Sequence, residues 1–262
     1  MVLGLGATCA GAGFGLSMPV QASTAREIVY RFDDFEISHV ELGRIIAAAR
    51  YLGMPASLML AIGERESRLD VTARPEGMRS TAVGLHQFLK QTWLEIVHDN
   101  PRVMGAPEAP DKLERRETTQ GTRYHSSDSE WSADILARRE DPYYATLAMG
   151  LYVLRNREVV KRRTGYRLRM NGEIYIPHLL GPNGGSRLIE TALKTPDRRS
   201  DHVFSRSVLQ NRGVFFEGDR NRTVREVVIH LIKDMEQRRK KYVHAERMFN
   251  FYNKDHIMSA SQ

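Results

Sequence analysis

Cysteine is nearly missing from this chain of 262 residues: Cys9 is the only one. An internal disulfide framework and a cysteine-ligated zinc site are both excluded on that count. Long apolar runs are lacking beyond residue 22, and the mean hydropathy of −0.45 excludes a polytopic membrane protein. Nine histidines are present, but no His-Glu-x-x-His pairing is, and His86, His178 and His230 stand far apart. The sequence therefore predicts no metal site and no cofactor. Neither Gly-x-Ser-x-Gly nor Gly-Lys-Ser/Thr occurs, which removes the common serine-hydrolase and P-loop signatures. Acidic residues are outnumbered, 32 Asp+Glu against 39 Lys+Arg, so the net charge is +7 and an anionic partner is expected. What is there suffices for a core: with 41% hydrophobic and 27% charged residues, wholesale disorder is ruled out. The length allows one large domain or two small ones.

Residues 1–22 carry no charge and run from Val2 to Val20 through Gly, Ala, Leu and other small residues. Val20-Gln21-Ala22, followed by Ser23-Thr24, has the small-x-small form that signal peptidase cuts, so 1–22 is expected to be an export signal. A basic segment before it is missing, since Arg26 is the first charged residue. The residues before Cys9 do not suit lipid attachment. Cleavage after Ala22 would take the lone cysteine with it and leave the charge unchanged.

The rest reads as helices. Ser38 and Glu41 make a capping box for a helix to about Tyr51, closed by Gly53; Pro55 opens the next, to about Ser67. Leu85, Phe88, Leu89, Trp93, Ile96 and Val97 suggest a third amphipathic helix. From Asp99 to about Asp134 the chain is polar and rich in Pro, Gly and Ser, which predicts a long loop or lid. Asp141 caps Pro142 at the start of a helix ending at Gly165. Helices over about Glu173–Leu180 and Gly185–Leu193 flank Gly181-Pro182. Thr223 and Glu226 form a second capping box, and Val224, Val228, Leu231 and Met235 are expected to face inward. The basic runs Lys161–Arg163 and Arg238–Lys241 sit near helix C-termini, where they complement the dipole and read as solvated. No aromatic residues interleave with them as nucleic-acid binding would require. No internal repeat or long strand pattern appears. The expected class is mostly α.

One carboxylate falls on an unusual face. Leu58, Ile62 and Glu66 are spaced four apart, so Glu66 extends an apolar stripe, while Glu64 should lie opposite and be solvated. A carboxyl against apolar neighbours loses hydration, which raises its pKa and suits it to act as a general acid on a glycosidic oxygen. Pairing with Arg65 or Arg68 is the structural alternative for such a residue. Asp70, past the helix end, reads as a cap or turn residue.

The string A-I-G-E-R-E-S-R-L-D (Ala61–Asp70), followed by A-V-G-L-H-Q-F-L-K-Q-T-W (Ala82–Trp93), resembles the soluble lytic transglycosylase family, whose fold is like goose-type lysozyme. That family carries a helix-terminal Glu-Ser and then Gly-Leu-x-Gln. I-Y-I-P-H-L-L-G-P-N-G-G (Ile174–Gly185) resembles its third motif, and N-R-G-V-F-F-E-G (Asn211–Gly218) looks like a tail of one proteobacterial branch. The likeness runs in order from about Ser38 to Met235. It implies a lysozyme-like catalytic domain over 23–196, with an insertion at about 99–134, and a C-terminal helical extension over 197–262.

Carried over by position, Glu66 matches the sole catalytic acid/base and Ser67 the serine that hydrogen-bonds near the sugar. Gly84, Leu85 and Gln87 match the second motif, in which Gly admits the sugar closely and Gln offers a donor and acceptors to an acetamido group. The third motif departs from the common Ala-Tyr-Asn-Ala-Gly-Pro: Pro177-His178-Leu179-Leu180-Gly181-Pro182 stands there. The family's orienting tyrosine must find its counterpart in His178, in Tyr175, or in neither. The resemblance implies a periplasmic enzyme acting on peptidoglycan strands and leaving 1,6-anhydro ends. A hydrolytic muramidase and a non-catalytic wall-binding scaffold are the alternatives, and a basic nucleic-acid-binding protein is the rival from another class.

Overall fold

The protein is described here by a computed structural model covering residues 28–75, 80–119 and 121–251. The export segment 1–22 and Cys9 lie outside the described residues. The chain opens with a hairpin, β1 (Val29–Phe32) and β2 (Phe35–Ser38), in which Val29 pairs with Ser38 and Phe32 with Phe35. Tyr30, Phe32 and Ile37 alternate with exposed neighbours and point into the core.

Ser38 caps helix α1 (His39–Tyr51) with the reciprocal box: its hydroxyl accepts from the Glu41 amide, and the Glu41 carboxylate accepts from the Ser38 amide. After Gly53 and Pro55 comes α2 (Ala56–Ser67), buried on every side from Leu58 to Glu64. A helix apolar all round belongs in the middle of a domain. Helix α3 begins at Lys90 and ends at Asp99, so Leu85 and Phe88 are not part of it. They belong to a turn closed by a bridge between Val83 and Phe88, and Leu89 is exposed. The amphipathic spacing across 85–97 is thus a turn followed by a helix. Trp93, Leu94, Ile96 and Val97 supply the buried face of α3.

The segment expected to be a loop over 99–134 is largely structured. It holds α4 (Ala109–Lys112), an antiparallel hairpin of β3 (Glu114–Thr118) and β4 (Gly121–His125), and the start of α5 (Ser129–Ala137). Polar composition misled here because β3 is exposed on both faces and its Glu and Arg side chains pair with one another. Helix α6 (Pro142–Thr164) starts at the Asp141 cap and stops at left-handed Gly165, as its sequence predicts. Helix α7 (Tyr175–Lys194) breaks at Gly181, whose φ of 67° and ψ of 166° separate two helical halves.

Short α8 (Arg206–Leu209) and α9 (Arg212–Phe215) precede a two-residue hairpin, β5 (Phe216–Glu217) with β6 (Arg220–Asn221). Thr223 and Glu226 box the start of α10 (Val224–Lys241). Its inward residues are Val224, Val227, Leu231 and Met235, with Val227 rather than Val228 fully buried. The class is mostly α, with three two-stranded hairpins among the described residues. Helix α6 packs on α1 and α7, and α10 packs on α2 and α7, so α2 lies between long helices.

Candidate functional site

Glu66 sits in the last turn of α2. Beyond Ser67 the backbone turns through two successive left-handed residues, Arg68 (φ 58°) and Leu69 (φ 66°). Such conformations cost about 1 kcal/mol or more for a residue with a side chain. Here Arg68 N–H bonds to Glu64 O and Leu69 N–H to Gly63 O, while the Leu69 side chain is buried. Those bonds hold the break, and α2 ends with Glu66 at the edge of the core, 21% of its side chain exposed.

Two residues of α7 converge on it. Tyr175 donates a 2.8 Å hydrogen bond to Glu66 Oε1, and His178 Nε2 lies 3.2 Å from the same oxygen. Tyr175 and His178 thus both contact the carboxylate, because three residues on a helix bring side chains to one face. Burial pushes the Glu66 carboxyl up. The hydrogen bond and charge of His178 and the hydrogen bond of Tyr175 outweigh it, so the group lies below the ordinary carboxylate range. This reverses the expectation from its apolar stripe. Burial, with Glu66 beside it, pushes the Tyr175 phenol up, so it remains a donor.

Glu64 is the residue the helical wheel misplaced. It is 2% exposed, not solvated. Arg238 Nη1 at 2.7 Å, Lys241 Nζ at 3.0 Å and Tyr242 OH at 2.6 Å all meet its carboxylate. The run Arg238–Lys241 is correspondingly not a wholly solvated face: Arg238 and Lys241 turn inward to neutralise Glu64, Arg239 pairs with Glu236, and Lys240 is exposed. Lys161, Arg162 and Arg163 are exposed as expected. Arg65, between the two carboxylates, pairs with Asp234 of α10 and stacks over the Tyr175 ring at 4.9 Å.

The turn that carries the second motif stands beside α2. Ser67 Oγ lies 3.1 Å from Gly63 O and 2.9 Å from Leu85 O, so its hydrogen ties the helix end to this turn. Leu85 is fully buried. Gly84 has a φ of 81°, and a Cβ there would fall 2.1 Å from Arg139 O. The missing side chain therefore admits the protein's own backbone. Gln87, itself left-handed at φ 49°, donates from Nε2 to Ala73 O and Gly84 O, which props the turn open. Asp70 accepts from the amide and hydroxyl of Thr72, a turn role as its position suggested.

Glu66, His86, Gln87, Phe88, Leu89, Thr92, Tyr152 and His178 line a cavity of about 190 Å³. Glu66 is its one carboxylate among the described residues. Sequence spacing gave no reason to join His86 to His178, yet both border this cavity. Tyr152 of α6 sets its ring edge-on to His178, with centroids 5.9 Å apart. The Gly-Leu-His-Gln string was the available signal for His86, and Tyr152 had none beyond its place on an apolar helix. Among the described residues no cluster of three His, Cys, Asp or Glu side chains could hold a metal ion, and no helix is long and apolar enough to cross a membrane. No protein-family model matches the chain, and no curated protein does.

Proposed function

We propose that this protein is a lysozyme-like peptidoglycan lytic transglycosylase that cleaves the bond from N-acetylmuramic acid to N-acetylglucosamine with Glu66 as its single acid/base. The observation that carries the reading is a partly exposed carboxylate at a helix end, oriented by Tyr175 and His178, in a cavity that shows no second carboxylate among the described residues. The order of the Glu-Ser, Gly-Leu-x-Gln and Gly-Pro motifs supports it.

In the first step Glu66 gives its proton to the glycosidic oxygen as the C1–O bond breaks. The substrate's own 2-acetamido group meets the charge that develops at C1, in place of a second carboxylate. Glu66, now ionised, takes the proton from the C6 hydroxyl of the same sugar while O6 bonds to C1. The 1,6-anhydro ring closes without water, and Glu66 is protonated again. The site favours the ionised carboxylate, so the acid step is the one that gains from low pH. The uncharged 1–22 segment would deliver the enzyme to the periplasm, and the net charge of +7 would speed encounter with anionic wall.

Digestion of purified peptidoglycan, read by mass spectrometry beside Glu66→Gln, tests the proposal. Anhydro-ended products from the wild type and none from the variant are expected. Reducing ends alone would make it a hydrolytic muramidase. An intact wall would leave a binding scaffold, and cleavage that survives Glu66→Gln would remove Glu66 from the mechanism.

A further inference from the structure

His86 lies at the tip of the turn between Val83 and Phe88 and is 1% exposed. Among the described residues neither of its ring nitrogens has a hydrogen-bond partner, and the Nδ1 of His178, which lines the same cavity, has none either. Buried polar side chains are nearly always paired, because an unmade hydrogen bond forfeits the hydration the group had in water. The turn itself does not need an imidazole there. Its backbone is held by the Gln87 amide and by Arg139, whose guanidinium bonds to the carbonyls of Thr81 and Phe88. Leu85 and Phe88 on either side are buried apolar residues, so a leucine at 86 would suit the packing. An unpaired polar group on the wall of the Glu66 cavity can bond what enters it.

The ring's chemistry narrows what that is. Burial, with His178 nearby, outweighs the pull of Glu66 and holds His86 neutral, its pKa depressed to about 3. A neutral imidazole offers one donor and one acceptor. Each ring nitrogen can meet one uncharged partner, and a sugar hydroxyl suits either, accepting from the N–H or donating to the other nitrogen. A carboxylate would find one donor there and would be repelled by Glu66 on the same wall.

We infer that the His86 side chain is a substrate contact, hydrogen-bonding a hydroxyl of the sugar ring bound against Glu66 and selecting the neutral part of the glycan there over its carboxylates. This rests on the proposed glycan-cleaving reading and assigns a specificity-determining residue within it.

The test uses the full chain and four variants, one of them the double substitution. Calorimetry measures binding of an uncharged β-1,4-linked N-acetylglucosamine oligomer to Glu66→Gln, with and without His86→Leu. Peptidoglycan digestion and thermal unfolding are then compared for wild type, His86→Leu and His86→Gln. His86→Leu is expected to weaken oligomer binding about tenfold or more, as loss of a substrate hydrogen bond does. It should raise KM while unfolding at or above the wild-type temperature, and His86→Gln should recover part of the affinity. A His86→Leu chain that binds and cleaves as the wild type does overturns the inference and leaves the function standing. Earlier unfolding with unchanged affinity also overturns it, since His86 would then be structural. A wild type that leaves peptidoglycan intact defeats the enzymatic reading, and the oligomer arm still decides the contact: no binding there overturns it as well.

Discussion

Tyr242 donates a 2.6 Å hydrogen bond to Glu64 from 178 positions further along the chain, and Glu64 stands two residues before Glu66. Arg238 and Lys241 reach the same carboxylate, and Asp234 takes Arg65. Glu64 and Arg65 are thus clamped by the C-terminal helix and its following turn, while Glu66 is met by Tyr175 and His178 from α7. The end of α2 is gripped from two sides, which sets where the Glu66 carboxylate can point.

Glu64→Ala should be among the most costly single substitutions. It strands Arg238 and Lys241 without their shared acceptor and leaves the Tyr242 hydroxyl buried and unpaired. Losing one partner of a buried ion pair costs about 3 kcal/mol or more. Arg238→Ala should cost less, since Lys241 and Tyr242 still meet the carboxylate. Urea unfolding measures both, and equal small losses of under about 0.5 kcal/mol would mean that the clamp adds nothing.

Removing the donors to Glu66 should move its titration upward. Burial alone raises the group, while His178 and Tyr175 lower it, so His178→Ala and Tyr175→Phe each take away a lowering influence. If Glu66 must be protonated to cleave, the alkaline limb of the kcat/KM profile shifts to higher pH in both variants, further in His178→Ala. The same sign governs stability: a depressed carboxylate stabilises the fold above its ordinary pKa of 4.5, and that contribution disappears as pH falls through the lower folded value. A downward shift of the limb would contradict the hydrogen bonding at Oε1.

His86 should make the fold acid-sensitive. Unfolded, it takes a proton near its ordinary 6.5; folded, it resists protonation to about 3. Across that window the unfolded chain binds the extra proton, so stability falls with falling pH by roughly 1.4 kcal/mol per pH unit from this residue. His86→Leu should flatten the slope by about that amount between about pH 6 and pH 4. Parallel slopes for the two proteins in urea unfolding would sink the prediction.

Gly84 and Gly181 are both left-handed but should tolerate alanine differently. At Gly181 no described residue lies within 4 Å of the added Cβ, so only the backbone cost applies, about 1–3 kcal/mol for a φ of 67° with a ψ of 166°. At Gly84 the cost of a positive φ is joined by collision with Arg139 O, and the turn must shift. Gly84→Ala should lose more than about 2 kcal/mol and displace His86 with the turn. Thermal unfolding of the pair decides it.

Much of the fold was legible because its signals are local. The Ser38–Glu41 and Thr223–Glu226 boxes, the Asp141-Pro142 start and the Gly165 stop each act within a few residues, and each lies where its pattern predicts. The exposed β3–β4 hairpin was not legible, since its strands bury almost nothing and leave no alternation to read. The Glu64 error had a usable warning. From Ala56 to Gly63 nearly every residue is apolar, so α2 has no solvated side on which a carboxylate could rest.

By itself, then, the sequence determined the helical class, most helix ends, and Glu66 as the carboxylate to watch, because periodicity and capping are written in neighbouring residues. Tertiary structure alone decided that Glu64 is the deeply buried acid, that Glu66 is depressed rather than raised, and that His86 joins the cavity. The first two outcomes depend on partners 109, 112 and 178 residues away. A pKa is the balance of burial against such partners, and no local pattern encodes which distant side chains the packed helices will bring to it.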